Sequence, residues 1–286
     1  MNIHQILLKY WGYNSFREKQ EDIIQSAIDG KDTLALLPTG GGKSICFQVP
    51  ALYKEGLCIV VSPLIALMKD QVENLNSRGI KAIALTSGMR KREIDIALDN
   101  MVYGDYKFLY VSPERLETEL FQERVKKMKV NFIAIDEAHC ISQWGYDFRP
   151  SYLKIAALRD LLPNVPVLAL TATATPEVVE DIQKQLGFKT NHLIQKSFER
   201  KNVAYIVQME EDQYGRLKKI LDGVKGTGIV YVNSRKRTQV IAQYLQRNGY
   251  SADYYHAGLN HHERSAKQEQ WMKNQTRVIV ATNAFG

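Results

Sequence analysis

The sequence predicts an α/β protein with two domains, each built on a parallel β-sheet flanked by helices. Apolar runs of strand length alternate with helix-like runs along the chain, as a parallel sheet with crossover helices requires. The chain has 286 residues, which is more than one average domain. A glycine-rich segment at residues 34–44 joins the first apolar strand to a helix. The first domain is therefore expected to be organised around that segment.

Composition limits the class of protein. Hydrophobic residues make up 45% and charged residues 24%, as in ordinary globular proteins. The cysteines Cys46, Cys58 and Cys140 lack a CxxC or metal-ligand spacing, so we expect no disulfide framework, no zinc site and a reducing cytoplasm. No signal-peptide pattern or membrane-spanning run is present. A net charge of +7 suggests a polyanionic partner, although many basic enzymes never bind nucleic acid.

The glycine-rich segment reads Leu-Ala-Leu-Leu-Pro-Thr-Gly-Gly-Gly-Lys-Ser. Glycines let backbone N–H groups turn toward an anion, and a following helix adds its positive dipole end. Lys43 would reach the β- and γ-phosphates of a nucleotide, and Ser44 would coordinate Mg²⁺. The strict pattern has glycine where this chain has Leu37, and a plain turn before a helix is the alternative. The predicted nucleotide-binding residues are Thr39, Gly40, Gly41, Gly42, Lys43 and Ser44.

An acidic pair follows the apolar run at residues 132–135. The carboxyl end of a buried strand is where α/β sheets place their chemistry. Asp136 would hold Mg²⁺ through water, and Glu137 would orient and deprotonate the attacking water. The alternative is an acidic strand end in solvent.

Upstream of the glycine-rich segment, an aromatic residue, an arginine and an amide precede a helix that ends at Gly30. Tyr13 and Arg17 could stack on a base, and Gln20 offers both a donor and an acceptor to an adenine edge. An ordinary helix start with polar surface residues is the alternative.

Between these motifs the alternation continues. Pro63 and Pro113 each follow a strand and are placed at helix starts, where exposed N-termini would suit a phosphate backbone and plain capping is the alternative. Strands are predicted at residues 57–62, 82–86, 108–111, 132–135 and 165–170, with helices at 64–75, 93–101 and 152–162.

A loop rich in large rings follows the acidic pair at residues 140–150, and it includes Trp144, Tyr146 and Phe148. Unpaired bases stack on such rings with about 1–3 kcal/mol each. We interpret the loop as a sensor that couples strand binding to hydrolysis, and a rigid packing loop is the alternative. Thr171 and Thr173 end a further strand and could bridge the nucleotide site to a moving element.

The second half of the chain restarts the pattern after a polar linker at residues 198–202. It contains no second phosphate loop, and the sequence ends directly after a strand. Strands are predicted there at residues 203–207, 228–232, 252–255 and 278–281, with helices at 214–224, 237–245 and 263–272. A helix at 176–187 precedes the linker.

Taken together, these motifs resemble those of the RecQ-family DNA helicases of superfamily 2. The resemblance rests on the phosphate loop, on residues 136–144 and 171–173, and on the runs at 231–235 and 255–259. It covers essentially the whole chain. Its most specific part is residues 136–150, because other helicases share the Asp-Glu-Ala-His tetrad but not the aromatic loop after it. Leu37 also fits, since this superfamily does not require glycine there.

The resemblance implies two RecA-like lobes, residues 1–200 and an incomplete lobe at 201–286, with ATP and Mg²⁺ in the cleft. It implies 3′ to 5′ movement along single-stranded DNA and unwinding of partly duplex DNA in repair and recombination, by a cytoplasmic, nucleoid-associated monomer. Adenine would lie on Tyr13, Arg17 and Gln20, and Glu137 would act as catalytic base with Lys43 and Asp136. The implied DNA-binding or coupling residues are His139, Gln143, Trp144, Phe148, Arg149, Thr171, Thr173, Ser234, Arg235, His256 and Thr282.

The family continues past residue 286 into an arginine-bearing segment, a zinc subdomain and a winged helix. An arginine finger is worth roughly 10³ to 10⁵ in rate. We therefore expect a truncated core that binds ATP, binds DNA weakly and turns over poorly, and whose uncovered second-lobe edge promotes association. The alternatives are a nucleotide-gated DNA-binding module without motor activity and, disfavoured by the aromatic loop, an RNA helicase.

Overall fold

The structure is a computed structural model that describes residues 1–86, 88–145, 147–199 and 203–285. The chain divides into two compact units, Met1–Arg200 and Lys201–Gly286. Both units are α/β, as predicted, with parallel sheets flanked by helices. No helix among the described residues is long and apolar enough to cross a membrane.

The first unit contains a seven-stranded sheet in the order β3-β4-β2-β5-β6-β1-β7, and its paired strands are parallel. The strands β5, β6 and β1 are neighbours, so their carboxyl ends meet at one edge of the sheet. The strands are β1 (Thr33–Leu36), β2 (Leu57–Val61), β3 (Ala82–Leu85), β4 (Phe108–Val111), β5 (Val130–Ile135), β6 (Val167–Thr171) and β7 (Leu193–Gln195).

Helices cover both faces of this sheet, and three short 3₁₀ helices interrupt the connections at Pro113–Glu117, Ala138–Ile141 and Pro150–Lys154. The α-helices of the first unit are α1 (Ile3–Trp11), α2 (Gln20–Ile28), α3 (Lys43–Tyr53), α4 (Ile65–Ser77), α5 (Lys91–Tyr103), α6 (Glu119–Val125), α7 (Ile155–Leu161) and α8 (Pro176–Gln185).

The sheet carries two apolar clusters because successive strand side chains point to opposite faces. Ile59 and Ile133 belong to one cluster, and their neighbours Val60 and Ala134 belong to the other. Strands β1, β2, β4 and β6 are buried along their whole length. This double burial explains why the strands read as continuous apolar runs in the sequence.

The second unit has a three-stranded parallel sheet in the order β8-β10-β9. Its apolar cluster includes Ile241 and Leu245 from a helix and Val278 and Val280 from the central strand. Its elements are α9 (Gln213–Gly223), β8 (Gly228–Tyr231), α10 (Arg235–Arg247), β9 (Ala252–Tyr255), α11 (His261–Met272) and β10 (Val278–Ala281).

Some predicted elements differ from the structure. Residues 203–207 form no strand: they carry no ladder pairing, and Tyr205, Ile206 and Val207 are exposed, so the segment lacks the neighbour that a strand needs. The helix predicted at 152–162 begins as the 3₁₀ helix Pro150–Lys154 before α7. The predicted linker falls partly on residues 200–202, which lie outside the described residues.

The two Ser-Pro steps also differ from each other. Pro113 is the first residue of its 3₁₀ helix, as predicted. Pro63 is not at a helix start, because α4 begins at Ile65 with Leu64 as its N-cap. The prediction for Pro63 is therefore wrong: Leu64 after it is still extended, and the helix begins only at Ile65.

Candidate functional site

The phosphate loop occupies the turn between β1 and α3. Gly40 and Gly42 both have φ of +77°, a left-handed conformation that favours glycine. A Cβ on Gly41 would lie 2.7 Å from the carbonyl oxygen of Pro38, so that position also excludes a side chain. Gly42 is the N-cap of α3, and Lys43 and Ser44 are the first two helical residues. The loop therefore presents a helix N-terminus at the carboxyl edge of the sheet.

The acidic pair lies at the same edge, directly after β5. Glu137 has φ of +48°, which is unusual for a residue other than glycine. The Asp136 carboxylate accepts a hydrogen bond from the Glu137 N–H at 3.0 Å, and the Tyr152 hydroxyl donates to the Asp136 carbonyl oxygen at 2.9 Å. Two fixed contacts on Asp136 thus hold the turn that exposes the Glu137 carboxylate.

Lys43 and Glu137 come together from these two motifs. The Lys43 Nζ lies 3.6 Å from Glu137 Oε1, and the side chains keep 17% and 26% exposure. The phosphate loop and the acidic pair therefore form one site. Burial, followed by the nearby Glu137 charge, raises the pKa of Asp136 to about 6. Two carboxyl groups in such a buried and mutually repelling arrangement are suited to a bound cation.

His139 connects the acidic pair to the end of β6. Its Nδ1 lies 2.8 Å from Thr171 Oγ1 and 3.3 Å from Glu137 Oε2. Thr171 Oγ1 in turn accepts a hydrogen bond from the Thr173 N–H at 3.2 Å. Burial lowers the pKa of His139, which favours the neutral imidazole. The structure thus brings Glu137, His139 and both threonines into one contiguous polar chain.

The aromatic loop begins within the same segment. Trp144 is 79% exposed, Gln143 is exposed and Phe148 is half-buried. Arg149 is held by Asp147, whose Oδ2 lies 3.0 Å from Arg149 Nη2. That pairing lowers the pKa of Asp147. Tyr146 lies outside the described residues.

His139, Cys140 and Asp147 form a small cluster whose possible ligand atoms lie within 4.8 Å of one another. Burial raises the pKa of the Cys140 thiol to about 12, so the thiol of the ligand-free protein is protonated, and it donates to Asp147 Oδ2 at 3.7 Å. Asp147 is already paired with Arg149. These contacts make the cluster a packing and hydrogen-bonding element of the loop.

A cavity of about 540 Å³ lies beside the phosphate loop. Tyr13 is 53% exposed on its wall, and Arg17, Gln20 and Ser44 also line it. Gln20 is buried, and both ends of its amide already bond to protein. Helices α3 and α4 also line the cavity, through Gln48 and Gln71, and Gln48 Nε2 donates to Gln71 Oε1 at 2.9 Å. The sequence alone did not indicate this part of the wall.

In the second unit, the predicted residues gather at the carboxyl edge of the sheet. Ser234 is the N-cap of α10 and Arg235 its first residue, while His256 follows β9 and Thr282 follows β10. His256 is 7% exposed, and among the described residues neither of its ring nitrogens has a hydrogen-bond partner. A Cβ on Gly258 would lie 3.1 Å from Arg235 Nη1 and 3.2 Å from His256 Nδ1, so the arginine and the histidine are close.

Sequence reasoning missed Tyr152 and Asp147, which hold the acidic pair and Arg149 in place. Asp147 lies two residues before Arg149, and that spacing was the only local signal of their pairing. The sequence around Tyr152 carried no such signal, because its bond to Asp136 depends on how the 3₁₀ helix Pro150–Lys154 packs against the acidic pair.

Comparison with known proteins agrees with this arrangement. The family described as DEAD/DEAH box helicase matches residues 17–182, and the helicase conserved C-terminal domain matches residues 212–286. The first match covers more than half of the chain, so the protein belongs to the DEAD/DEAH box helicase family. Within that family its relatives are RecQ helicases, which confirms the resemblance found in the sequence motifs.

One such relative is the ATP-dependent DNA helicase RecQ of Pasteurella multocida, 43% identical over 98% of this chain and 45% of the relative. Another is the probable ATP-dependent DNA helicase RecS of Bacillus subtilis, 43% identical over 99% of this chain and 58% of the relative. The chain thus spans about half the length of the curated relatives it matches.

Solved structures show the same fold. The DUF1998 helicase MrfA bound to DNA aligns with a TM-score of 0.75 and 18% identity, over 99% of this chain and 44% of that one. Dbp5 of Saccharomyces cerevisiae, solved with Gle1, aligns with a TM-score of 0.73 and 17% identity, over 100% of this chain and 74% of that one.

Proposed function

We propose that the protein is a RecQ-like ATP-dependent DNA helicase that couples ATP hydrolysis to 3′ to 5′ movement on single-stranded DNA and to duplex unwinding in repair and recombination. The observation that carries this proposal is the 3.6 Å pairing of Lys43 with Glu137, which joins a phosphate loop to an acidic pair. Unit Met1–Arg200 is the ATP-binding lobe and unit Lys201–Gly286 the second helicase lobe.

The phosphate loop would bind the triphosphate through residues Thr39–Ser44. Lys43 would exchange its contact with Glu137 for the β- and γ-phosphates. The Ser44 hydroxyl and Asp136 would hold Mg²⁺, and Asp136 fits a cation because burial and Glu137 raise its pKa to about 6. The metal ion, when bound, neutralises charge on the phosphates. Tyr13, Arg17 and Gln20 would contact adenine in the adjoining cavity.

Glu137 would act as the general base toward the attacking water. Its two carboxylate oxygens contact Lys43 and His139, at 3.6 and 3.3 Å. Movement of Lys43 to the phosphates would free Glu137 Oε1 to accept a hydrogen bond from the attacking water. The base would therefore become available when the substrate arrives.

Single-stranded DNA would contact the aromatic loop and the second unit. Trp144 offers a ring with 79% exposure, and Gln143, Phe148 and Arg149 complete the loop. Ser234, Arg235, His256 and Thr282 gather at one sheet edge of the second unit and suit a phosphate backbone. The bonds from Thr171 and Thr173 through His139 to Glu137 would couple DNA to the base.

The test is steady-state ATP turnover by the 286-residue chain with and without single-stranded DNA, together with Glu137→Gln and Trp144→Ala. The proposal predicts a low turnover that DNA still raises and that Glu137→Gln abolishes, and a turnover in Trp144→Ala that DNA no longer raises. Binding of ATP and DNA without any turnover would support the alternative of a nucleotide-gated DNA-binding module. If ATP binding survives Lys43→Ala, the assignment of the phosphate loop is wrong.

A further inference from the structure

We propose that Gln20 and Arg17 position the phosphate loop itself, besides lying beside the base. This inference rests on the proposed ATP site. Gln20 Nε2 donates a hydrogen bond to the carbonyl oxygen of Gly42 at 3.0 Å and approaches that of Gly41 at 3.4 Å. Arg17 Nη1 donates to the carbonyl oxygen of Gly40 at 2.6 Å. Three successive loop carbonyls are therefore held from one side by two side chains.

The geometry of a peptide explains what this contact achieves. A trans peptide is planar, so its N–H points away from its C=O. Because Gln20 holds the carbonyls of Gly41 and Gly42, the N–H groups of Gly42 and Lys43 point to the opposite side, where an anion would lie. The contact thus fixes the donor face of the loop before any ligand arrives.

The orientation of the Gln20 amide is itself fixed. Gln20 Oε1 accepts a hydrogen bond from the Arg17 N–H at 2.8 Å, and the Gln20 N–H donates to the Arg17 carbonyl oxygen at 3.0 Å. A flipped amide would place its oxygen against the loop carbonyls and its NH₂ group against a donor. Only one orientation of the Gln20 amide satisfies its hydrogen bonds with Arg17, Gly41 and Gly42. The side chain is also buried, with 3% exposure.

The backbone before Gln20 supports a positioning role. Lys19 has φ of +69°, a conformation that costs free energy in a residue with a side chain, and it places Gln20 at the first position of α2. On the loop side, a Cβ on Gly42 would lie 2.3 Å from Gln20 Nε2. The close approach of the amide to the loop therefore requires glycine at position 42.

A ligand without a base separates the two roles of Gln20. We would measure the affinity of Mg²⁺-tripolyphosphate and of Mg²⁺-ATP for the wild-type chain, Gln20→Ala, Gln20→Glu and Tyr13→Ala. Loss of the loop contact in Gln20→Ala should weaken tripolyphosphate binding by roughly tenfold, and ATP binding by at least as much, because ATP also loses the contact of Gln20 with the base. Gln20→Glu should be weaker still, because a carboxylate repels the loop carbonyls. Tyr13→Ala should weaken ATP alone.

Gln25→Glu is the matched control, since it makes the same change on the same helix at an exposed position whose side-chain amide donates to Asp29. It should leave the affinity for both ligands at the wild-type value. Tripolyphosphate affinity at the wild-type value in Gln20→Ala would overturn the positioning role and leave Gln20 as a base contact alone.

Hydrogen exchange of the ligand-free protein is the second measurement. Amides of residues 41–43 should exchange faster in Gln20→Ala and in Arg17→Ala than in the wild type, while amides of α8 should not change. A direct contact of Arg17 with phosphate, without a role in the loop, predicts unchanged exchange and would contradict the inference. If the wild type binds neither ligand, the proposed ATP site fails, but this exchange comparison still decides whether the loop is held.

Discussion

The ammonium group of Lys43 lies 3.6 Å from the Glu137 carboxylate, so the phosphate loop and the acidic pair share one ion pair without any ligand. Binding of a triphosphate must exchange this pair for a contact between Lys43 and phosphate. The cost of that exchange depends on the charge of Glu137.

We predict that Glu137→Gln separates ATP binding from hydrolysis. The neutral amide releases Lys43, so ATP affinity should be unchanged or slightly tighter, whereas turnover should fall by roughly 10²–10⁴-fold with the loss of the base. Calorimetric titration of ATP and a phosphate-release assay measure the two effects. Lys43→Ala is the contrasting variant and should lose ATP binding. Wild-type turnover in Glu137→Gln would rule out its role as base.

Asp136→Asn should stabilise the ligand-free protein at neutral pH. The folded-state pKa of about 6 exceeds the ordinary value of 3.8, so the free energy of unfolding decreases as pH rises through that window. Each pKa unit corresponds to about 1.4 kcal/mol, so the ionised Asp136 lowers the free energy of unfolding above pH 6 by at most about 3 kcal/mol. Asparagine carries no charge and removes this loss. Urea unfolding in EDTA should show a gain at pH 8 that disappears below about pH 4.

Asp147→Asn is the control for that measurement. Arg149 holds the pKa of Asp147 below its ordinary value, so this carboxylate stabilises the fold at pH 8 and its removal should bring no gain. Equal gains in both variants would show that the Asp136 result reflects a general loss of negative charge.

The ion pair between Asp32 and Arg159 should be structurally important. The two groups lie 2.7 Å apart with 8% and 15% exposure, and Asp32 Oδ1 also accepts from the Val167 N–H at 2.9 Å. Asp32→Ala leaves a buried arginine charge and should cost about 3–5 kcal/mol. Asp29→Ala, which breaks an exposed pair with Lys31, should cost far less, because solvent screens that pair. Similar losses in the two variants would contradict this account.

Thr171→Val should weaken the coupling between DNA and hydrolysis. Valine keeps the shape but removes the hydroxyl that lies 2.8 Å from His139 Nδ1. We expect ATP binding to persist and DNA stimulation of turnover to fall. Thr33→Val is the matched control, because Thr33 is a buried hydroxyl at the start of β1, on the opposite edge of the sheet, and it bonds to Ser26. Equal DNA stimulation in both variants would exclude the His139 connection.

The sequence was most informative where the cause of a structure is local. Strands β4 and β10 have the bounds that their apolar runs predicted, because a buried strand needs little beyond apolar side chains. Strand β9 also has its predicted bounds, although its two central residues are only half-buried. Glycines at positions 40 and 42 were interpretable because their backbone conformation excludes most other residues. These features led from residues to a phosphate loop without any knowledge of the fold.

Features that depend on distant partners could not be predicted in the same way. The helix α1 and the edge strand β7 were missed. The segment at 203–207 was assigned a strand because an apolar run says nothing of whether a neighbouring strand is present. The bonds of Gln20 to the loop join positions 21 and 22 residues apart. Sequence spacing carries no signal for such contacts.

The most direct test of the central claim is the affinity of the chain for a single-stranded oligonucleotide with and without a non-hydrolysable ATP analogue. A coupled motor requires the analogue to change DNA affinity, typically by about 5–150-fold, and requires DNA to change the affinity for the analogue by the same factor. In the wild type we predict that these two factors are equal and differ from one. In Thr171→Val we predict that both are closer to one. DNA affinity that does not depend on nucleotide would contradict the claim that these residues form an ATP-driven DNA helicase.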